Sequence, residues 1–458
     1  MTEPDQTDRL AFDPQPRRPA WGVRTPRRKG LSTGKPILVA APPARVCLAL
    51  GAGPGPAAEP VVAVGQRVVC GEPVARPVAP GGPPVHASIS GRVTHLEPRP
   101  VAGFPGPVPC VVIESDGRDE RWPGYGPDPA AAEWPPEALI GRIASGGLVG
   151  LGGALFPTAH KLVASRGVPL LLLNGVECEP YISCDDMLLR ERSDRVVAGG
   201  QVLLAALGAQ RCIIAVKNDM PQARNAIYAA LQAAADPRFA LSVVTGKYPS
   251  GGERQLVELV LGREVPAGGH PADAGVLCQN VGTAAAVADL IRHGQPLISR
   301  IVTLTGGGLT QPQNIEARLG TTVADLVALA GGYRGEPGRL IMGGPMMGIA
   351  LATDELAITA ATNCIVAATD AELGGGAVEM PCIRCGDCIE ACPATLLPQE
   401  LLIAARAGRV ADLTTLGVSE CIECCACDYV CPSHIPLTHY FIAGKALVRN
   451  AAATETPA

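Results

Sequence analysis

The sequence predicts a multidomain protein of the α/β and α+β classes, and three observations support that prediction. A chain of 458 residues suggests about three domains at roughly 150 residues each. Short apolar runs bounded by glycine and proline fill residues 33–120, whereas residues 135–300 alternate apolar runs with alanine-rich stretches of helical spacing. Nine of the 17 cysteines fall between Cys382 and Cys431. We therefore expect an all-β module, an α/β domain, a small α+β unit and a cysteine-rich C-terminal domain.

The composition argues against several classes of function. The formal net charge is −5 and aromatic residues make up 3% of the chain, which argues against a nucleic-acid partner. No apolar run approaches the ~20 residues that span a bilayer. The first 20 residues are polar and lack the apolar core of a secretory signal. An odd number of cysteines without such a signal argues against a disulfide framework, so we expect a soluble or peripheral chain made in the cytoplasm.

The N-terminal segment is predicted to be a disordered basic tail over residues 1–32. Six basic residues and no acidic ones lie between Arg17 and Lys29, and the segment has several prolines and few apolar residues. Such a composition buries too little apolar surface to fold by itself. The alternative is a polybasic contact with an anionic membrane surface or an acidic partner.

Residues 33–120 are predicted to form a β module whose apolar runs include Ile37–Ala40. The stretches Val64–Val74 and Val85–Val93 resemble a barrel-sandwich module of the lipoyl and biotinyl type. Carriers of that type present a modifiable lysine at a hairpin tip, and this chain has no lysine between Lys35 and Lys161. A swinging-arm function is therefore excluded, and we expect a docking or packing unit.

Residues 121–299 are predicted to form an α/β domain with a parallel sheet. Val168–Leu173 and Arg211–Val216 read as buried strands, and Asp194–Leu207 between them has helical spacing. Strand–helix alternation of this kind places helices on both faces of a parallel sheet. The remaining predicted boundaries are an α+β unit over 300–372, a cysteine-rich domain over 373–450 and a tail over 451–458.

The strongest motif is a repeated cysteine pattern of the form Cys-x-x-Cys-x-x-Cys-x-x-x-Cys-Pro. Its first copy comprises Cys382, Cys385, Cys388 and Cys392, and its second copy comprises Cys421, Cys424, Cys427 and Cys431. In bacterial two-cluster ferredoxins, three thiolates of one loop bind one [4Fe–4S] cluster and the fourth cysteine binds the other. The spacing therefore predicts one cluster on Cys382, Cys385, Cys388 and Cys431, and a second on Cys421, Cys424, Cys427 and Cys392.

Two structural zinc sites are the alternative interpretation of these cysteines. The prolines after each fourth cysteine and the Cys-x-x-x-Cys endings fit zinc poorly. Cys425 lies beside a predicted ligand, where small residues are usual, and is interpreted as a non-ligand.

Two further segments have the composition of a nucleotide site. Ser145–Thr158 is rich in glycine and opens a helix that carries Lys161, so that its backbone N–H groups could meet a phosphate. It lacks the Gly-Lys-Ser/Thr ending of a P-loop, which counts against a nucleoside triphosphatase. Leu173–Pro180 places polar groups after a strand, where open α/β sheets bind ligands. Its acidic residues could equally be solvated loop residues.

Taken together, these motifs resemble the RnfC family, whose members belong to the Rnf-type ion-translocating electron-transport complex. The resemblance rests on Gly-Gly-x-Gly-Gly-Ala-x-Phe-Pro-Thr-x-x-Lys, on Asn-x-x-Glu-x-Glu-Pro and on the paired cysteine motifs, and it covers residues 33–450. It implies a barrel-sandwich module, a Rossmann-like FMN/NADH domain, a β-grasp unit of the soluble-ligand-binding (SLBB) type and a ferredoxin-like helical domain with two clusters. The two central motifs are shared with the flavin subunits of respiratory NADH dehydrogenase and of NAD-linked hydrogenases.

The resemblance also implies roles for individual residues. The glycine-rich loop and Lys161 would hold FMN through Gly150, Gly152 and Gly153, and Asn174 and Glu177 would hydrogen-bond it. Phe156 and Glu179 would face the nicotinamide nucleotide. The segment Tyr248–Glu253 looks like the family's Tyr-x-x-Gly-Glu-Glu, which would place Tyr248 at the cofactor and Glu253 near NADH. The segment Gln279–Thr283 looks like its flavin-binding Asn-Asn-Val-x-Thr, with Gln279, Asn280 and Thr283 as the matching residues.

In that family, NAD⁺/ferredoxin redox chemistry is coupled to ion pumping. The resemblance therefore implies a peripheral subunit on the cytoplasmic side of the inner membrane. Its partners would be NADH, membrane subunits and a ferredoxin-type iron–sulfur subunit.

One departure from the family leaves room for other functions. Leu155 stands where glycine is expected, and leucine is poor at positive φ and bulky beside a flavin ring. An iron–sulfur adaptor that has lost its flavin is therefore an alternative. An NADH-dependent cobalamin reductase is another, although its β module usually lies C-terminal.

Overall fold

The computed structural model describes residues 18–51, 53, 55–126, 134–376 and 378–455. The N-terminal β module folds as two small antiparallel sheets that enclose a core of buried aliphatic side chains. One sheet has the strand order β2-β8-β7-β4 and the other has the order β3-β5-β6. Their bounds, preceded by a separate strand β1, are β1 (Leu38–Val39), β2 (Arg45–Ala49), β3 (Glu59–Pro60), β4 (Arg67–Val68), β5 (Pro73–Arg76), β6 (Val85–His86), β7 (Gly91–Arg99) and β8 (Val108–Ser115).

The second domain contains a four-stranded parallel sheet with helices packed against it, as its strand–helix alternation predicts. The strand order is β11-β10-β9-β12, with Leu172 opposite both Ile213 and Cys278 at the centre. Its elements are α1 (Pro136–Ser145), α2 (Thr158–Ala164), β9 (Leu170–Gly175), α3 (Cys184–Glu191), α4 (Ser193–Leu207), β10 (Arg211–Lys217), α5 (Pro221–Ala234), β11 (Phe239–Val244), α6 (Glu253–Leu261), β12 (Val276–Asn280) and α7 (Val281–His293).

The third domain is a mixed sheet with the strand order β1-β14-β13-β17-β15-β16. Its elements are β13 (Ser299–Thr305), β14 (Gln313–Arg318), α8 (Val323–Leu329), β15 (Arg339–Met342), β16 (Ile349–Leu351) and β17 (Cys364–Ala368). Strand β1 pairs in parallel with β14, Leu38 lying opposite Ile315. The prediction that Ile37–Ala40 is part of the β module is therefore wrong, because this segment completes the edge of a sheet that is distant in sequence.

The C-terminal domain is helical. It consists of α9 (Asp370–Leu373), α10 (Asp387–Ala391), α11 (Pro398–Arg406), α12 (Val410–Thr415), α13 (Ala426–Val430) and α14 (Leu437–Glu455). Its small core packs around Leu401, Leu413 and Phe441, with four of the motif cysteines against it. Helix α14 continues to Glu455, so the predicted tail over 451–458 begins as helix.

The disordered tail predicted over residues 1–32 is wrong for residues 18–32, while residues 1–17 lie outside the described residues. Trp21 and Val23 are buried, and Val23 forms a β-bridge with Tyr248 of the second domain. The backbone N–H of Gly22 donates to the carbonyl of Ala391 in the C-terminal domain. The segment is ordered because its few apolar residues meet partners more than 200 positions away in the chain.

Candidate functional site

The carboxyl edge of the parallel sheet brings the predicted site segments together. The glycine-rich loop between α1 and α2 packs on the start of α7, where the N–H of Leu151 donates to Thr283 Oγ1 at 2.9 Å. A Cβ built on Gly152 would lie 3.5 Å from Cβ of Asn280, so the loop and the end of β12 are in van der Waals contact. Gln279 donates through Nε2 to Thr158 Oγ1 at 3.4 Å. Two segments more than 100 residues apart therefore form one surface.

The side chain of Asn280 organises the start of α7. Its Oδ1 accepts the N–H of Gly282 at 2.8 Å, which caps the helix. Its Nδ2 donates to Asp185 Oδ2 at 2.7 Å. A capped N-terminus of a 13-residue helix keeps further N–H groups directed outward, and such an end favours a bound anion.

The loop itself adopts the conformations that its glycines permit. The N–H of Gly150 donates to the carbonyl of Phe156 at 2.9 Å, which closes the loop, and Gly153 has φ +115°. Leu155 does take a left-handed conformation, with φ 54°. Its side chain, however, is 6% exposed and packs into the core of the α/β domain. The expected departure is thus absorbed by the core.

Strand β9 ends in two further predicted residues. Asn174 accepts the N–H of Val176 at 3.0 Å and donates to the carbonyl of Gly251 at 2.9 Å. A Cβ on Gly251 would lie 2.2 Å from the carbonyl oxygen of Val176, so only glycine allows the segment after β11 to approach this closely. Glu177 is buried, and its Oε1 accepts the N–H of Asp185 at 2.9 Å.

Two residues predicted to have different roles meet in an ion pair. Lys161 of α2 contacts Glu253 at the start of α6, and their side chains are 24% and 38% exposed. Phe156 is 41% exposed and stands edge-on to His160, with ring centroids 5.4 Å apart. A cation, an acid and an exposed aromatic ring therefore line the accessible side of this edge.

Glu179 contacts the third domain. Its Oε1 accepts the N–H of Met347 at 2.9 Å and its Oε2 accepts the N–H of Met346 at 3.3 Å, both in the turn between β15 and β16. Burial raises the pKa of Glu179 to about 7, although these hydrogen bonds and the charge of Lys29 act in the opposite direction. The carboxylate thus holds the SLBB-like turn against the end of β9.

The raised pKa of Glu179 makes the stability of the protein depend on pH. Between about pH 4.5 and 7 the folded protein holds a proton that the unfolded chain has released, so stability falls as pH rises through that window. Glu179→Gln removes this dependence, and its gain in stability over the wild type should be larger at pH 8 than at pH 5, by about 2 kcal/mol at 1.4 kcal/mol per pKa unit. Urea unfolding of both proteins at several pH values measures it.

The exposed Glu355, changed in the same way, serves as the control for this measurement. A Glu179→Gln protein whose stability runs parallel to the wild type across pH 5–8 would show that this carboxyl does not titrate in the window.

The paired cysteine motifs surround two cavities in the C-terminal domain. One cavity is lined by Cys382, Cys385 and Cys388 of the first motif and by Cys431 of the second. The other is lined by Cys421, Cys424 and Cys427 of the second motif and by Cys392 of the first. The thiols thus group in the crossed sets that the spacing predicts. Cys425 also borders the second cavity and takes a left-handed conformation, with φ 56°.

Each cavity fits a cluster by the chemistry of its lining. Four thiols and aliphatic side chains such as Ile435 and Leu437 line the first, and the second is closed by Phe441 and Pro393. Iron–sulfur clusters are held by thiolates and tuned by how far the surroundings exclude water. Among the described residues, no group of three or more His, Cys, Asp or Glu side chains is arranged to hold a single metal ion.

The second cavity lies against the α/β domain. Tyr248 is 2% exposed, and its hydroxyl donates to the carbonyl of Cys424 at 2.8 Å. Tyr248 and Cys424 share a buried cluster with Ala426, against which Cys178 at the end of β9 also packs. By contrast, Cys382 and Cys385 of the first cavity are exposed.

Sequence reasoning missed several residues of the site. Lys29 donates to Glu177, Asp185 bonds both Glu177 and Asn280, and Arg300 donates to the carbonyl of Leu151 in the glycine-rich loop. Asp185 follows the Glu-x-Glu-Pro motif by a few residues and could have been suspected for that reason. Lys29 and Arg300 gave no signal, because a single basic residue in a basic run or a strand has no distinctive spacing.

Family models match the chain in four consecutive segments. They are an RnfC barrel sandwich hybrid domain over residues 19–118, a Nuo51 FMN-binding domain over 143–289, an SLBB domain over 301–350 and a 4Fe–4S dicluster domain over 377–432. The predicted fold class and the order of its modules are confirmed. FMN and [4Fe–4S] clusters are accordingly the cofactors of these domains, and zinc is not.

Curated relatives are named as the RnfC-type component of an ion-translocating oxidoreductase complex. Identity is 45% over 94% of this chain in Pseudomonas aeruginosa and 41% over 84% in Vibrio cholerae, and the chain spans 55% and 50% of those proteins. A relative from Yersinia pestis is 41% identical over 93% of this chain, which covers 69% of that protein. The chain thus spans about half to two thirds of the length of these relatives.

A solved NAD⁺-reducing [NiFe]-hydrogenase in the H2-reduced state matches with a TM-score of 0.46 and 21% identity, over 72% of this chain and 63% of that one. Within the described residues, no helix is both long and apolar enough to cross a membrane. The sequence identity over nearly the whole chain, the family models in their order and the crossed cysteine cavities lead to one conclusion. The chain belongs to the RnfC family of ion-translocating oxidoreductase complexes.

Proposed function

We propose that this chain exchanges electrons between NAD(H), FMN and two [4Fe–4S] clusters. In the proposal it is a peripheral subunit on the cytoplasmic side of the inner membrane. Membrane subunits and a ferredoxin-type iron–sulfur subunit would couple its electron transfer to ferredoxin redox chemistry and to ion translocation. The observation that carries the proposal is the contact of Tyr248 with Cys424, which joins the carboxyl edge of the sheet to the second cysteine cavity.

FMN would be held along the carboxyl edge of the parallel sheet. The start of α7, with Asn280 and Thr283, and the backbone of the glycine-rich loop at Gly150, Gly152 and Gly153 offer N–H groups to its phosphate. Lys161 supplies a cation on the same side. Gln279, Asn174, Glu177 and Tyr248 would line the remainder of the site.

FMN, when bound, takes two electrons together from a nicotinamide and passes them on singly, as iron–sulfur clusters require. The nucleotide would be received at the accessible side of the edge by Phe156, whose ring is 41% exposed, and by Glu253. Glu253 already pairs with Lys161, so nucleotide binding would compete with or reorganise this ion pair. Glu179 would orient the neighbouring turn of the third domain.

The cysteines divide into an inner and an outer set in this proposal. Cys421, Cys424, Cys427 and Cys392 would hold the cluster nearest the flavin edge, because Cys424 packs with Tyr248. Cys382, Cys385, Cys388 and Cys431 would hold the outer cluster, and the exposure of Cys382 and Cys385 leaves it accessible to a partner protein.

The proposal is tested on one anaerobically purified sample. Iron, acid-labile sulfide and flavin are quantified, and NADH is then added while the flavin and cluster absorbances are followed. We expect FMN to be released on denaturation and both clusters to be bleached by NADH. Iron without flavin, and clusters that NADH does not reduce, would favour the flavin-less adaptor and overturn the proposal.

A further inference from the structure

Lys29 enters the predicted flavin site from the N-terminal strap, which we define as residues 20–35. The side chain is 4% exposed, and its Nζ donates to the carbonyl of Glu177 at 2.7 Å and to Glu177 Oε2 at 3.0 Å. Both partners of this ion pair have side chains that are 5% exposed. A buried pair of this kind has lost most of its hydration, which its mutual attraction must offset.

The strap is fixed on both sides of Lys29. Before it, Arg27 pairs with Asp219 at the end of β10, Nε to Oδ2 at 3.0 Å. After it, the hydroxyl groups of Ser32 and Ser183 lie 2.7 Å apart. The lysine therefore does not sample the site from a mobile tail, because the chain around it holds the amine in place.

The surroundings of this amine are acidic. Glu177, Asp185 and Asp186 all lie at the end of β9 and the start of α3, and burial together with the charge of Glu177 raises the pKa of Asp185. Lys29 opposes this effect, because its charge acts on both Asp185 and Glu179. An ammonium group has three N–H donors, and two of them are directed at Glu177. Lys29 is thus the cation that faces the acidic end of β9 from the strap.

We propose that Lys29 is a positioning residue that holds the Glu177 carboxylate in place and neutralises its charge beside the flavin, so that the N-terminal strap sets the flavin potential. This inference rests on the proposed function, since Glu177 is at the cofactor only if FMN binds along this edge. A charge near the ring changes the relative stability of its oxidised and reduced forms. Reduction adds negative charge, so a nearby cation favours the reduced form and an unpaired carboxylate disfavours it.

The test compares Lys29→Met with Glu177→Gln. Each protein is purified with its flavin, the FMN content is measured, and the flavin midpoint potential is determined by anaerobic titration at pH 8.5. Lys29→Met leaves an unpaired carboxylate, and we expect the ratio of reduced to oxidised flavin at a fixed potential to fall about tenfold, or about 30 mV downward for a two-electron couple. Glu177→Gln leaves an unpaired cation, so its potential should rise.

Opposite shifts distinguish an electrostatic role from a structural one, because mere loss of packing would not move the two variants in opposite directions. The double variant Lys29→Met/Glu177→Gln restores the charge balance and should return close to the wild type. Lys29→Arg should retain the wild-type potential. Lys35→Met removes an exposed cation of the same strap, which bonds Gln311, and should change nothing.

Some outcomes would overturn the inference while leaving the proposed function intact. They are potentials of Lys29→Met and Glu177→Gln that both equal that of the wild type, or that both shift the same way, with FMN retained. If Lys29→Met does not fold, the rise in Glu177→Gln and its reversal in the double variant still decide the matter. A wild-type protein without FMN would instead refute the proposed function.

Discussion

Cys431→Ser, a change in the second cysteine motif, should destroy the cluster of the first motif. Cys431 lines the cavity that Cys382, Cys385 and Cys388 form, whereas its own motif partners surround the other cavity with Cys392. A serine oxygen is a poor substitute for a thiolate at iron, so about half of the iron and sulfide should be lost. Cys392→Ser, in the first motif, should likewise destroy the cluster of the second motif.

Double variants reveal which cluster each cysteine serves. Adding Cys385→Ser to Cys431→Ser should cost no further iron, because both residues belong to one cluster, whereas adding Cys424→Ser should remove the remainder. The two single variants should also differ in function. With Cys431→Ser, NADH should still reduce the remaining inner cluster, and with Cys392→Ser it should reduce the flavin alone.

Cys425→Ser is the matched control for these variants. Cys425 is adjacent to Cys424 and borders the same cavity, but its thiol donates to the carbonyl of Glu423 at 3.8 Å. We expect full iron content in this variant. Uncrossed ligation would show itself if Cys431→Ser and Cys424→Ser together cost only half of the iron.

Local spacing explains why much of this protein could be predicted from sequence. The crossed sets of cysteines follow from the lengths of two short loops and their helices, which a motif encodes completely. The parallel sheet follows from apolar runs such as Leu170–Leu173, which are buried on both faces. The approach of the glycine-rich loop to the start of α7 follows from topology, because both lie at the carboxyl edge of the sheet.

The parts that sequence reasoning missed depend on partners that are remote in the chain. Lys29 is indistinguishable from its basic neighbours in composition, and only Glu177, 148 positions away, makes it a buried residue. Leu155 seemed unsuited to its position because the steric argument considered the flavin side of the loop, whereas its side chain packs into the core behind it. Glu179 meets Met346 and Met347 because a turn of another domain reaches it.

Tyr248→Ala should separate the flavin edge from the inner cluster, and it is expected to have the second large effect. Tyr248 is 2% exposed, bridges to Val23 of the strap and donates to the carbonyl of Cys424, so three parts of the chain meet at one residue. Truncation of a buried aromatic side chain costs about 3–5 kcal/mol, from lost contacts and the cavity left behind. The domains should then dock less tightly at this contact.

The readout for Tyr248→Ala is rapid mixing with NADH under anaerobic conditions. The flavin should still be bleached promptly, while reduction of the clusters should slow markedly or cease, because the separation affects only the second transfer. Tyr248→Phe loses only the hydroxyl, about 1 kcal/mol, and should keep most of the rate. Tyr228→Ala, a 47% exposed tyrosine of α5, controls for loss of a tyrosine as such. Cluster reduction at the wild-type rate in a folded Tyr248→Ala protein would mean that electrons leave the flavin by another route, and that the contact between Tyr248 and Cys424 is structural only.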